Sequence, residues 1–175
     1  MGPPGKVRSE RSTRDARVRF GYPLRMSDAG RIALVDELER AFLEFGEFVR
    51  DLPRDLYDEP VPGEEGSVRA ILAHVVGAGY GHVAAVARHC GGQIPDRRFA
   101  EPIGVDDPET WIAALLDVVR FAREALEGVG DEALGTRFTA SWGQDYDGEQ
   151  MLEHATCHPG RHVRQLCRWL DGELG

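Results

Sequence analysis

Cysteine is scarce in this 175-residue chain. The three cysteines, Cys90, Cys157 and Cys167, are an odd number and show no Cys-x-x-Cys spacing. Because a disulfide framework and a cysteine zinc site both require several matched thiols, this pattern argues against either. We therefore expect a cytoplasmic protein whose thiols stay reduced.

Several other sequence signals are missing. The apolar runs are too short to cross a bilayer and the N-terminus does not resemble a secretory leader, so we expect no membrane partner. No Glu-x-x-His motif occurs, which argues against a di-iron carboxylate centre. No Cys-x-x-Cys-His motif occurs either, which excludes a c-type haem.

Charge is unevenly distributed along the chain. The net charge is −9, yet residues 1–25 carry seven basic and two acidic side chains, so the rest of the chain has a net charge of −14. We predict a disordered basic extension over residues 1–25 and one folded domain over residues 26–175. Since so acidic a domain repels nucleic acid, nucleic-acid binding is a weaker hypothesis that depends on the extension alone.

Four stretches show the three-to-four-residue apolar repeat of amphipathic helices. The last three begin after the capping residues Ser67, Asp107 and Asp147. The segment from 130 to 145 lacks this period, and we expect at most a short extended piece there, at 137–142. This pattern predicts an all-α fold, an antiparallel four-helix bundle with long inter-helix connections. The predicted helices cover residues 28–50, 68–90, 108–127 and 148–170.

Three glycines interrupt the second predicted helix. Gly77, Gly79 and Gly81 each cost about 1 kcal/mol relative to alanine in a helix interior. Two interpretations stay open at this point. The helix is weakened by chance or packs closely against a neighbour there, or the missing side chains leave room for a ligand beside His74.

Histidines are concentrated in the last predicted helix. Three of the six, His154, His158 and His162, occur four positions apart and would lie along one helical face. Apolar residues such as Leu166 lie close to that face, which directs the imidazoles toward the core. Imidazole binds zinc, nickel, copper and iron, and helical bundles build metal sites from facing helices. Together with His74 on the second helix, these histidines predict a metal site.

Pro159 lies between two of these histidines. Inside a helix, proline removes a backbone hydrogen bond, clashes with the carbonyl four residues earlier and costs about 3 kcal/mol. Either the last helix kinks at this position, or one helix ends near His158 and another begins at Pro159.

Two motifs resemble those of a known protein family. The first is Ser67-Val68-Arg69-Ala70-Ile71-Leu72-Ala73-His74, and the second is His154-x3-His158-x3-His162-x2-Gln165-Leu166. They are similar to the second-helix and closing-helix motifs of the DinB-like (YfiT-type) four-helix metal-binding proteins of bacteria. The resemblance implies that His74, His158 and His162 bind a divalent metal, zinc or nickel, with His154 as a neighbour or spare ligand.

The same resemblance implies a function. Several relatives are transferases or isomerases that use a low-molecular-weight thiol, namely bacillithiol, mycothiol or glutathione. We therefore expect a metal-dependent transferase, with the thiol and a small-molecule electrophile as partners. Arg69, Arg161 and Arg164 are candidates to hold the carboxylates of the thiol, unless they only form solvated helix faces.

Two further expectations complete the prediction. The alternative function is a non-catalytic stress-response or ligand-binding module in which the metal is structural or absent. The sequence leaves the oligomeric state open, although a two-fold homodimer is the commonest assembly for a bundle of this size.

Overall fold

The computed structural model describes residues 28–63, 66–96 and 106–173. The predicted extension 1–25 and most of the loop before the third predicted helix lie outside these ranges. The all-α prediction is confirmed, because long helices form most of the described chain. In order, the elements are α1 (Ala29–Asp51), a 3-10 turn (Arg54–Leu56), β1 (Pro60–Val61), β2 (Gly66–Ser67), α2 (Val68–Cys90), α3 (Pro108–Ala125), α4 (Asp131–Leu134), β3 (Arg137–Thr139), β4 (Asp145–Asp147) and α5 (Gly148–Leu170).

The three predicted capping residues begin their helices as expected. The Ser67 hydroxyl accepts the Ala70 N–H at 3.2 Å, and the Asp107 carboxylate accepts two backbone N–H groups at the start of α3. At α5, Asp147 accepts the Gln150 N–H at 2.8 Å while the Gln150 side chain accepts the Asp147 N–H at 3.1 Å. These bonds satisfy N–H groups that have no partner inside the helix, which explains why the helix starts were readable from the sequence.

Salt bridges establish the direction of α1 relative to α3. Arg50, near the end of α1, binds Glu109 at the start of α3 at 2.9 Å. Near the other end, Arg123 of α3 binds Asp36 of α1 at 2.9 Å. These two helices are therefore antiparallel, as predicted for the bundle.

Helices α2 and α3, in contrast, run in parallel. Arg69 at the start of α2 binds Asp106 just before α3 at 2.6 Å, and beyond the end of α2 the Gln93 N–H donates to the Ala125 carbonyl at 3.0 Å. The end of α2 and the start of α3 therefore lie at opposite ends of the bundle, about 27 Å apart for a helix as long as α3. The parallel direction of α2 and α3 therefore explains why the connection between them was predicted to be long.

Each long helix contributes one apolar stripe to a single core. The predicted stripe of α1 is buried, and the largest fully buried side chain is Trp111 of α3. The two hairpins, β1–β2 and β3–β4, are antiparallel pairs at the bundle ends. Strand β3 lies within the extended piece predicted at 137–142, and β4 leads directly into α5.

Helix α2 departs from the prediction that no apolar stretch is long enough to cross a bilayer. By length and composition alone it could cross a membrane, with a mean hydropathy of 1.5. Of this apolar window, 56% is buried inside the bundle. Because it packs against both α3 and α5, its composition is that of a core helix.

The start of α1 is capped by a residue distant in sequence. Asp28 precedes α1 but its side chain makes no capping bond. Instead, the Asp131 carboxylate of α4 accepts the Gly30 N–H at 3.1 Å and the Arg31 N–H at 2.9 Å. A carboxylate at this position also interacts favourably with the positive end of the helix dipole.

We expect the change Asp131→Ala to lower the free energy of unfolding by about 1–2 kcal/mol, because two N–H groups of α1 lose their acceptor. Urea denaturation measures this difference. The control is Glu132→Ala, which alters the exposed neighbouring carboxylate. Equal stability of the two variants would contradict the capping role.

Candidate metal centre

Helices α2 and α5 bring three imidazoles together. His74 of α2 faces His158 and His162, which lie one turn apart on α5. The Nε2 atoms of His74 and His158 are 3.0 Å apart, and one ligand nitrogen from each of the three residues lies within 4.8 Å of the others. The three residues form a group that could hold one metal ion, and they are called the histidine triad below.

Burial keeps the His158 imidazole of the triad neutral. His158 and His162 are buried, whereas His74 is exposed. Desolvation, followed by the neighbouring imidazoles, lowers the pKa of His158 to about 3. Neutral imidazole has a free lone pair, which is the form that binds zinc, nickel or copper. The donor set therefore fits the predicted divalent metal.

Gln165 fixes the orientation of the His162 ring. Its side-chain N–H donates to the Pro62 carbonyl at 3.3 Å, and its Oε1 lies 2.9 Å from His162 Nδ1. Because the Pro62 carbonyl can only accept, the amide oxygen must face His162, and Nδ1 must carry the proton. This leaves the lone pair on Nε2. A polar partner behind a ligating histidine is the usual means of setting its tautomer.

A second pair of histidines lies beside the triad. The rings of His82 and His154 are 4.9 Å apart, and His82 lies 5.4 Å from His158. Desolvation, followed by His154 and His74, lowers the pKa of His82 to about 4, and its buried Nδ1 makes no hydrogen bond with the described residues. His154 is therefore a neighbour of the triad here, one of the two roles left open by the sequence.

A family model described as the DinB superfamily matches residues 37–166, well over half of the chain. The chain belongs to the DinB superfamily. This membership confirms the resemblance seen in the two sequence motifs, both of which lie within the matched region. No curated protein matches the chain.

In this DinB-superfamily bundle, Pro159 lies inside a continuous helix. Helix α5 extends from Gly148 to Leu170 without interruption, so the alternative in which one helix ends near His158 is wrong. Pro159 is buried, and its lack of an N–H leaves the Ala155 carbonyl without its usual helical donor. The continuous helix keeps His158 and His162 one turn apart.

A cavity of about 800 Å³ opens beside the triad in this DinB-superfamily member. It lies between α2, the β3–β4 hairpin and α5, and His74, His158, His82 and His154 all contribute to its lining. Its volume is within the range of small-molecule sites. A ligand in this cavity would contact two members of the triad directly.

The glycines of α2 have different environments. A side chain at Gly79 would place its Cβ 2.7 Å from Phe42 Cζ and 2.8 Å from Val118 Cγ1. A Cβ at Gly81 would meet nothing within 4 Å, and Gly81 lines the cavity. Close packing against α1 and α3 therefore explains the glycine at position 79. The glycine at position 81 instead leaves open space in the cavity, as the second interpretation expects.

These environments predict opposite effects of alanine. Gly79→Ala should lower the free energy of unfolding, because overpacking costs about 1–3 kcal/mol and the helix gains only about 1 kcal/mol. Gly81→Ala should raise it by up to about 1 kcal/mol. Urea denaturation of both variants measures the two effects, and a destabilised Gly81→Ala would contradict the open environment of this position.

Two of the three predicted arginines line one cavity, whereas the third lies elsewhere in the structure. Arg161 and Arg164 line a cavity of about 400 Å³ that Pro62 and Gln165 also line. Gln165 therefore touches both this cavity and the triad. Arg69 instead binds Asp58 at 2.8 Å, as well as Asp106, and lines neither cavity.

Several residues of this site were not assigned from the sequence. Gln165 was part of a quoted motif, and its position three residues after His162 is a signal for contact on one helical face. Trp142 and Phe138 line the large cavity from the β3–β4 hairpin, and Arg88 lines it from α2. Nothing in the local sequence pattern places these three side chains beside the triad.

Proposed function

We propose that this protein is a divalent-metal-dependent enzyme that transfers a low-molecular-weight thiol to a small-molecule electrophile. The observation that supports this most is the convergence of three imidazoles from two helices beside an open cavity. Three protein ligands leave a coordination position for a substrate, as in catalytic zinc sites. The thiol is of the bacillithiol, mycothiol or glutathione type.

His74, His158 and His162 would hold the metal, with zinc and nickel as the favoured ions. When bound, such a metal lowers the pKa of a thiol or water that reaches it, which supplies a nucleophile near neutral pH. Gln165 keeps the His162 Nε2 lone pair directed into the site. Burial of His158 and His162 limits the access of bulk water to one side of the triad.

Arg161 and Arg164 would hold the carboxylates of the thiol. Both are exposed, form no ion pair with the described residues and line the same cavity behind His162. Guanidinium groups bind carboxylates in a two-pronged fashion, which suits glutathione and bacillithiol, the two of these thiols that carry carboxylates. Arg69 has less capacity for this role because Asp58 and Asp106 already accept from it.

Metal analysis of the purified protein tests the metal assignment. The wild type should bind about one equivalent of zinc or nickel per chain, and the triple variant His74→Ala, His158→Ala, His162→Ala should bind none. The control is His89→Ala, because His89 lies outside the triad and stacks on Phe138. Equal metal content in the wild type and the triple variant would overturn the proposal.

Thiol transfer is tested separately. The metal-loaded protein should accelerate conjugation of glutathione or bacillithiol to 1-chloro-2,4-dinitrobenzene, and the triple variant should not. Changing both Arg161 and Arg164 to glutamine should raise KM for the thiol while leaving KM for the electrophile unchanged. No acceleration with any thiol, in a protein that does bind metal, would exclude the transferase function.

The second candidate is a non-catalytic module with a structural metal. It is favoured by His82, whose Nδ1 has no partner among the described residues, and by His154. Both lie close enough to the triad for local movement to supply a fourth ligand. For this alternative, His82→Ala or His154→Ala should weaken metal binding as strongly as His162→Ala does. Unchanged affinity in both variants would favour the open, catalytic site.

A further inference from the structure

The large cavity beside the triad has aromatic walls. Trp142 of the β3–β4 hairpin stacks on His154 at 6.0 Å and meets Tyr146 at 5.7 Å. Phe138 of the same hairpin stacks on His89 with ring planes only 3° apart. Trp142 is 50% exposed, although large apolar side chains of this protein are mostly buried. An aromatic side chain exposed at a cavity is suited to cover an apolar ligand.

Small residues of α2 also line the cavity. Ala78, Gly81 and Ala85 lie on one helical face, and all three contribute to the lining. Since Gly81 has open space where a Cβ would lie, the width of the cavity there depends on the absence of a side chain. The open space at Gly81 therefore leaves room for a ring in the cavity that Trp142 also lines.

The side chains that line the cavity differ in charge from the protein as a whole, which is acidic. Thirty of the 175 residues are acidic, yet no aspartate or glutamate is among the described residues that line the cavity. Arg88 is its one lining side chain with a permanent charge among those residues. It is exposed and forms no hydrogen bond or ion pair with the described part of the chain. An anionic group on the ligand would pair with it.

We propose that this cavity binds the electrophile, and that the electrophile is an aromatic compound with a carboxylate that pairs with Arg88. The ring packs against Trp142, the exposed aromatic side chain, in the cavity that His74 and His158 also line. This inference rests on the proposed function for the role of the ligand, but the recognition depends only on the cavity. The thiol, held by Arg161 and Arg164, forms a sulfur–carbon bond at a ligand carbon that carries a leaving group. The leaving group departs with its bonding electron pair, and the thiol proton passes to solvent.

Isothermal titration calorimetry with three probes tests this recognition. 2-Naphthoate combines the ring and the carboxylate, 2-naphthalenemethanol has the ring alone, and acetate has the carboxylate alone. The wild type should bind 2-naphthoate most tightly, and 2-naphthalenemethanol about tenfold more weakly because it forms no charge-assisted bond with Arg88. Acetate should show no measurable binding.

Two variants locate the binding. Gly81→Leu fills the cavity from α2 and should weaken 2-naphthoate binding by at least about tenfold. Arg88→Gln should make 2-naphthoate bind as weakly as 2-naphthalenemethanol, without affecting the latter. The matched control is Arg40→Gln on α1, because Arg40 is exposed and lines no part of this cavity. Circular dichroism confirms that each variant is folded.

The outcomes separate this inference from the proposed function. If the wild type binds metal but not 2-naphthoate, or if Gly81→Leu and Arg88→Gln bind it as the wild type does, the aromatic carboxylate site is wrong while the metal centre stands. If 2-naphthoate binding shows the expected dependence on both residues in a protein that binds no metal, the cavity is supported and the proposed function fails. Competition of glutathione with 2-naphthoate would place the thiol in this cavity and overturn the assignment to the electrophile.

Discussion

Replacing Gln165 with leucine is expected to lower metal affinity about 10–100-fold, although Gln165 is not itself a proposed ligand. In the structure, its Oε1 accepts the proton of His162 Nδ1, and its own N–H is held by the Pro62 carbonyl. Leucine removes this acceptor, so the His162 ring is free to rotate or to carry its proton on Nε2. A proton on Nε2 blocks the nitrogen that faces His74 and His158.

Zinc titration in the presence of a competing chelator measures the change. The variant Gln165→Glu keeps an acceptor for His162 and should retain more affinity than Gln165→Leu, although it loses the bond to Pro62. Gln144→Leu is the matched control, because Gln144 is exposed and distant in sequence from the triad. If Gln165→Leu binds zinc as tightly as the control, His162 does not depend on Gln165 for its tautomer.

The sequence predicted those features that depend on local geometry. Helix starts follow from residues such as Ser67 and Asp147, whose side chains bind N–H groups only three positions away. The alignment of His158 with His162 follows from the helical period in the same way. Local rules therefore predicted where each helix starts and which histidines share a face.

Features that depend on distant contacts could not be predicted in this way. Asp131 caps α1 from a position about 100 residues away, and Arg69 ties the start of α2 to Asp106. The position of Trp142 depends on how the β3–β4 hairpin packs on α2 and α5. The cavity, its aromatic walls and the parallel direction of α2 and α3 all depend on such contacts, so single-sequence patterns do not contain them.

Metal removal is expected to cause the largest change in stability. The proposed ligands come from α2 and α5, and His74 and His158 are 84 positions apart, so the unfolded chain does not hold them together. A metal that binds only the folded state stabilises it by about 4 kcal/mol when its free concentration is 1,000 times Kd. That is a large fraction of the 5–15 kcal/mol, roughly, that separates folded from unfolded domains.

Urea denaturation with zinc at a fixed free concentration, and again with EDTA, measures this effect. The wild type should lose about 4 kcal/mol in EDTA, and the triple variant His74→Ala, His158→Ala, His162→Ala should lose nothing. The single variant His74→Ala tests whether the metal links α2 to α5. It leaves His158 and His162 one turn apart on α5 but removes the ligand from α2, so zinc should stabilise this variant much less than the wild type. If zinc stabilises His74→Ala as much as the wild type, the metal does not link the two helices, and the proposed three-histidine centre is wrong.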